Sequence, residues 1–356
     1  MSTRIQTDPR SLVARLPFLA MPTGFSHTMD ADAPQRQRTL RAPVKCSGIG
    51  VHTGTPVTLT MFPAAPGHGI RFRRVDLGPD VEIAASWDRV VVTNHCTMLG
   101  QGLGGEDEAT VMTVEHLMSA FAGLGVDNAL VLLDGPEVPI MDGSSAAFVF
   151  LIDCAGLVEQ DAPRRAIEVL RPVTVEEGNK VAQVLPQPHC SISFAIDFPA
   201  PAIGRQSHRI TITESSYRSE IARARTFGML QEVDYLRKLG LARGGSLENA
   251  IVVDGDRILN PEGLRFTDEF VRHKILDCLG DLYLAGAPIL GHVHGERAGH
   301  AFNNRLLHAL FADPANWRWV EVSRGGTVRP IEAVTHEAVT QGAEAVEAAT
   351  QHSVAA

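Results

Sequence analysis

Short apolar runs separated by turn residues dominate the chain, and those at Val57-Thr-Leu-Thr-Met61 and Ala129-Leu-Val-Leu-Leu133 predict β-strands. The spacing lengthens to a helical period over Thr113–Ala122 and Thr267–Leu284, and again over Asn304–Phe311. Thr113 is expected to cap the first of these helices and Gly123 to end it. Strands and helices are mixed in both halves. The polar, proline-broken stretch Glu159–Arg165, followed by the strand-like Ala166-Ile-Glu-Val-Leu170, marks a domain boundary near residue 162. A helix over Gln231–Leu239 stops at Gly240, a Gly244-Gly245 bend follows, and Ile251-Val-Val253 turns at Asp254-Gly255 into a further short strand, so residues 228–259 form an insert. The expected organisation is a leader over 1–36, an N-terminal domain over 37–162, a C-terminal domain over 163–325 and a tail over 326–356. No internal repeat points to a solenoid or propeller.

Composition narrows the function classes. With 44% hydrophobic residues, 356 residues suffice for two packed domains. Lys plus Arg number 32 against 41 Asp plus Glu, and the net charge of -9 opposes broad affinity for nucleic acid, so a phosphate-bearing ligand must be met by a few local cations. Five scattered cysteines, Cys46, Cys96, Cys154, Cys190 and Cys278, make neither a disulfide framework nor a zinc knuckle, which fits a reducing cytoplasm. The apolar stretch Leu12–Met21 is broken by Arg15 and Pro17; it is too short to span a bilayer and reads as a leader or a mis-assigned start.

Candidate chemistry concentrates in three segments. In Phe270-Val-Arg-His-Lys-Ile-Leu-Asp-Cys-Leu-Gly-Asp281, His273, Asp277 and Asp281 recur every four residues and share one helical face, while Val271, Ile275, Leu279 and Leu282 trace another. Imidazole and carboxylate at that spacing can close on one divalent ion, although an ordinary ion pair has the same spacing. In Thr113-Val-Glu-His116 the last two residues fall in a first helical turn; His116 would complete a three-ligand set with His273 and Asp277 and leave Glu115 as a general base, although a glutamate complementing the helix dipole and a histidine at a polar core edge read the same way. In Gly291–His300, His292 and His294 stand two apart, as on one side of a strand, and can form a rival metal site or simply be hydrogen-bonded histidines, while His300 is set apart after Ala298-Gly299.

Taken in order, Thr113–His116, Pro139-Ile-Met-Asp-Gly-Ser144, Ala224-Arg-Thr-Phe-Gly228, Phe270–Lys274 with Asp277 and Asp281, and Gly299-His300 closely resemble the UDP-3-O-acyl-N-acetylglucosamine deacetylase family, from about Arg38 to about Trp319. The resemblance implies an α+β fold of two α/β sandwich domains, each with helices packed between two sheets and carrying a small insert. It implies one Zn2+ per chain on His116, His273 and Asp277, Glu115 as base, His300 oriented by Asp281 as its charged partner, and Thr226 at the oxyanion. Lys274 and Arg297 are the implied cations for the substrate diphosphate, Phe198 stacks on uracil, and Phe227 lies against the sugar. Met229, Leu230 and Ile251 of the insert line a passage for the acyl chain, which Cys96 approaches unless it is simply a small buried thiol. The implied activity is removal of the N-acetyl group from a UDP-linked acylated glucosamine, in lipid A biosynthesis, by a cytoplasmic monomer with no transmembrane span and at most a transient hold on the membrane surface. A zinc amidohydrolase with another substrate, and a nucleotide-sugar or lipid-binding regulator with a structural metal, are the rival readings.

Overall fold

The computed structural model describes residues 31–102 and 109–331. The apolar leader stretch Leu12–Met21 and the tail from Glu332 onward lie outside the described residues. Val328–Pro330, in the segment assigned to the tail, forms a strand on Trp317–Val322.

Six α-helices punctuate the described residues: α1 (Glu115–Leu124), α2 (Ala146–Ala155), the single turn α3 (Glu214–Ser216), α4 (Leu230–Lys238), α5 (Glu269–Tyr283) and α6 (His300–Ala312). Together with mixed sheets they make an α+β fold, as expected. Each larger sheet draws on one half of the chain. The first has the order Val44–Ile49, Pro56–Pro63, Ala129–Leu133, Ile70–Arg74, Glu82–Ala84. Alternation buries Val57, Leu59 and Met61 of one strand and Ala129, Val131 and Leu133 of its antiparallel neighbour, with Leu59 opposite Leu133 and Met61 opposite Val131, so both strands face one core. The second sheet has eight strands; at its centre Ile289–Glu296 runs parallel to Arg165–Val169 and to Cys190–Asp197 and antiparallel to Lys180–Pro186. The insert forms a three-stranded sheet of Phe227–Met229, Ile251–Asp254 and Arg257–Ile258, with α4 beside it.

The helices α1 and α5 pack on one another, and α5 also lies on Cys190–Asp197 and Arg205–Thr211 of the second sheet. The apolar core is continuous across the two halves, from Phe72 and Phe121 to Phe194 and Phe270. Gly280 makes the helix crossing feasible: a Cβ there would press into the carbonyl oxygen of Glu115, so only glycine lets the two backbones approach this closely. The polar face expected of α5 is therefore no solvent face. His273, Asp277 and Asp281 are as buried as Val271 and Ile275, because α1 covers them.

Two local expectations change. Thr113 does not cap α1; it adopts a left-handed φ of 58°, Val114 precedes the helix without a side-chain cap, and the Thr113 hydroxyl donates to Glu137 at 2.9 Å. Nor does Gly123 end it. The helix runs on to Leu124 and is closed by Gly125 at φ 67°, while Gly123 lies inside it against the ring of Tyr217, where any Cβ would clash. A residue that looks like a stop is there for a close approach.

Candidate active site

The crossing of α1 and α5 brings together residues far apart in sequence. Nε2 of His116 lies 3.5 Å, and Nε2 of His273 3.3 Å, from Oδ1 of Asp277. All three side chains are buried, and one ligand atom from each lies within 4.8 Å of the other two. Ligand atoms about 2.0–2.2 Å from a tetrahedral ion stand roughly 3.3–3.6 Å from one another, the spacing that both histidines hold to the aspartate. Two further features fit an ion. Asp277 Oδ1 is buried without a hydrogen-bond partner, and Nδ1–H of His273 donates to the carbonyl of Ala224 at 3.0 Å, turning the lone pair of Nε2 inward. Burial pushes the His273 pKa down to about 3 and so keeps the ring neutral, the form a metal needs. Burial alone would disfavour charge on Asp277 too, but the Lys274 ammonium beside it helps hold its carboxyl well below the usual range.

Glu115 precedes the first of these residues and is not among them. Burial raises its pKa, partly offset by His300 and His116. Its Oε1 is 3.9 Å from Nε2 of His300, and the other imidazole nitrogen, Nδ1–H, donates to Asp281 Oδ2 at 2.8 Å. Burial opposes a charge on His300, yet Asp281 and Glu115 outweigh it and raise the pKa to about 9. A buried carboxylate and a buried imidazolium thus face one another beside the three-residue group, as a base and an acid acting on one substrate would.

These side chains open into a cleft of about 630 Å3, also lined by Thr226, Phe227, Met229, Phe198 and Lys274. Phe227 stands edge-on to Phe198 at 5.5 Å between ring centres and to Phe270 at 4.9 Å. Lys274 is engaged by Asp277 Oδ2. Arg297 is not part of the lining; its guanidinium pairs with Asp197 and Glu296.

Several expectations are corrected here. His300 is not set apart: it is the first residue of α6, which starts four residues before the expected Asn304. His292 and His294 do share one side of a strand, but far from joining a metal group they bond the Ser191 and Ser193 hydroxyls of the adjacent strand, at 2.7–2.9 Å. Ile251 is fully buried in the core and does not line the cleft, and Leu230 is 42% exposed outside it; of the three insert residues only Met229 faces it. Cys96 is a buried thiol off the lining, its pKa raised by burial and by Glu115.

Three residues at the site escaped the sequence reading. Asn303 donates to Asp281 Oδ2 at 2.8 Å, one turn along α6 from His300. It becomes legible only once α6 is known to begin at His300. His95 lines the cleft with φ at 67°, and Thr97 contacts Asp281, Glu115 and His300; neither carries a local signal.

Comparison with known proteins agrees with the geometry. Residues 37–312 match the family described as UDP-3-O-acyl N-acetylglycosamine deacetylase. A UDP-3-O-acyl-N-acetylglucosamine deacetylase of Stenotrophomonas maltophilia (strain R551-3) is 50% identical over 302 residues, covering 84% of this chain and 98% of that protein. Proteins of the same name from Xanthomonas campestris pv. campestris (strain B100) and Xanthomonas oryzae pv. oryzae (strain PXO99A) are 50% and 49% identical over 298 residues, covering 83% of this chain and 97% of each. The match spans α1, α5 and the start of α6, and with them every residue of the buried cluster, so this chain belongs to the UDP-3-O-acyl N-acetylglycosamine deacetylase family.

Proposed function

We propose that the chain is a zinc-dependent hydrolase that removes the N-acetyl group from UDP-3-O-(hydroxyacyl)-N-acetylglucosamine, an early committed step of lipid A biosynthesis. The observation that carries this reading is the convergence of His116, His273 and Asp277 next to a buried carboxylate that is not one of them, Glu115. His116, His273 and Asp277 would hold one Zn2+ per chain. A divalent ion supplies Lewis acidity toward the acetyl carbonyl and toward water.

The protein's own residues supply the rest. Glu115 takes a proton from the attacking water, whose oxygen bonds to the acetyl carbon. His300, charged and oriented by Asp281, faces the growing oxyanion and then gives its proton to the sugar nitrogen as the C–N bond breaks, leaving acetate and a free amine. The hydroxyl of Thr226 adds a donor for the oxyanion. Lys274 is the cation within the cleft for the diphosphate, to be released in part from Asp277 when an ion takes that carboxylate; Arg297 serves the same end from outside the lining by exchanging Asp197 for phosphate. Phe198 and Phe227 offer ring faces to uracil and sugar, and Met229 offers an apolar wall to the acyl chain.

We also read the halves on either side of residue 162 as two domains, since each of the two larger sheets keeps to one side of it. A cytoplasmic site is supported by the five free cysteines, and no helix among the described residues is long and apolar enough to cross a membrane. The test is to incubate the zinc-loaded protein with the UDP-sugar and measure acetate and metal together. Stoichiometric zinc with acetate release is expected; zinc without acetate would leave the rival substrate or the structural metal.

A further inference from the structure

Thr97 belongs to none of the motifs that mark the family resemblance, yet it touches both sides of the acid–base pair. It is 2% exposed. Its hydroxyl donates to Asp281 Oδ1 at 2.6 Å and lies 3.3 Å from Nδ1 of His300, while its backbone N–H donates to Glu115 Oε2 at 3.1 Å. Its carbonyl accepts from the N–H of Val114, immediately before α1. One residue therefore ties the loop to the first turn of α1, to the last turn of α5 and to the first residue of α6.

The consequence for each carboxylate can be counted. Asp281 Oδ2 already accepts from His300 Nδ1–H and from Asn303 Nδ2, each at 2.8 Å. With Thr97 on Oδ1 both oxygens are engaged, so the carboxylate cannot rotate away from the imidazole. Remove the hydroxyl and Oδ1 is left buried and unsatisfied, which favours rotation or entry of water. On the other side, the backbone donor takes Oε2 of Glu115 and leaves Oε1 facing His300 across 3.9 Å. The oxygen left to take a proton is thus selected. Two residues earlier His95 adopts a φ of 67°, a strained conformation for a non-glycine that persists because its surroundings hold it. The loop's shape is imposed, and Thr97 is what that shape delivers to the site.

We propose that Thr97 is a positioning residue that orients both members of the acid–base pair, Glu115 through its backbone N–H and His300 through Asp281. The proposal rests on the reading in which Glu115 and His300 move the protons. Thr97→Val is the sharp test, because it keeps the shape and the backbone donor and deletes only the hydroxyl. It is expected to lower kcat by roughly 10–100-fold, the range for an outer-shell partner, with KM and zinc content unchanged. Thr97→Ser is expected to recover most of that loss, and Thr97→Val is expected to cost little more once Asp281→Asn is present. In the metal-free proteins the downfield N–H proton resonance of His300, assigned by its loss in Asp281→Asn, is expected to shift or vanish in Thr97→Val. If Thr97→Val does not fold, Thr97→Ala takes its place. Wild-type kcat in the hydroxyl-less variant, a raised KM with kcat intact, or a loss that multiplies in full with that of Asp281→Asn would overturn the proposal. Full turnover in Asp281→Asn by itself would instead remove the acid–base reading beneath it, and the proposal with it.

Discussion

Nε2 of His273 points at Oδ1 of Asp277 from one turn earlier in α5, at 3.3 Å, and that oxygen has no hydrogen-bond partner of its own. A buried carboxylate oxygen left in this state is costly unless a cation completes it. His116→Ala, His273→Ala and Asp277→Asn are each expected to lower zinc affinity by more than the roughly 10–100-fold of an outer-shell change, and to lose turnover in step. Dialysis against a chelator should abolish acetate release and added zinc restore it. A variant that binds zinc normally would remove that residue from the set.

Glu115→Gln keeps the size of a side chain that is not a ligand. It is expected to retain zinc and fold while kcat falls by roughly 10²–10⁴-fold, the usual worth of a general base. Metal analysis beside a single-turnover assay decides it, and retained turnover would take Glu115 out of its role.

His300 sets an alkaline limit. Its pKa is raised to about 9 against 6.5 in the absence of the fold, so the charged form that the proposed mechanism uses persists through neutrality and disappears as pH rises past about 9. The same shift gives stability that is full below pH 6.5 and lost as pH rises through about 9. kcat/KM is expected to fall on that limb. Asp281→Asn removes the chief carboxylate raising the pKa and should move the limb to lower pH; a limb that stays in place would point to another group.

Gly280→Ala tests the helix crossing. The added methyl meets the backbone carbonyl of Glu115, which cannot swing aside as a side chain can, so a loss of about 1–3 kcal/mol in denaturant unfolding is expected, with weaker zinc binding because α1 and α5 separate. Unchanged stability would mean the crossing has slack.

The Ala224–Gly228 segment contains a charge whose job is structural. Arg225 is buried and its Nε and backbone N–H both donate to Glu269 Oε1, at 2.9 and 3.0 Å, in the first turn of α5. Glu269→Ala would strand a buried guanidinium and is expected to cost about 3–5 kcal/mol in unfolding experiments. An effect under about 1 kcal/mol would show that Glu262, which also pairs with Arg225, carries the charge alone.

Periodicity located α5 to within two residues at its start and one at its end, because a long helix with a regular apolar face carries its signal in every turn. It missed the start of α6, where His300 and Asn303 already belong to the helix, since nothing polar or apolar repeats until Leu306. Thr113 and Gly123 misled for a related reason: a hydroxyl and a glycine look alike in sequence whether they cap a helix, bond a distant Glu137 or make room for Tyr217.

By itself the sequence determined the residue types of the site and their order, and enough fixed motif to name the family, because motifs are local and survive as text. It also determined that His273, Asp277 and Asp281 share a helix face, which follows from the pitch alone. Only the tertiary structure decided that α1 would cover that face and bury it, that His116 would arrive at Asp277 from the other half of the chain, that His292 and His294 would turn to serines instead, and that Thr97 would join Glu115 to Asp281. Those contacts span 18 to 184 residues in sequence, and among them the meeting of α1 with α5 depends on how closely two backbones can pass at Gly280, a distance no spacing of letters encodes.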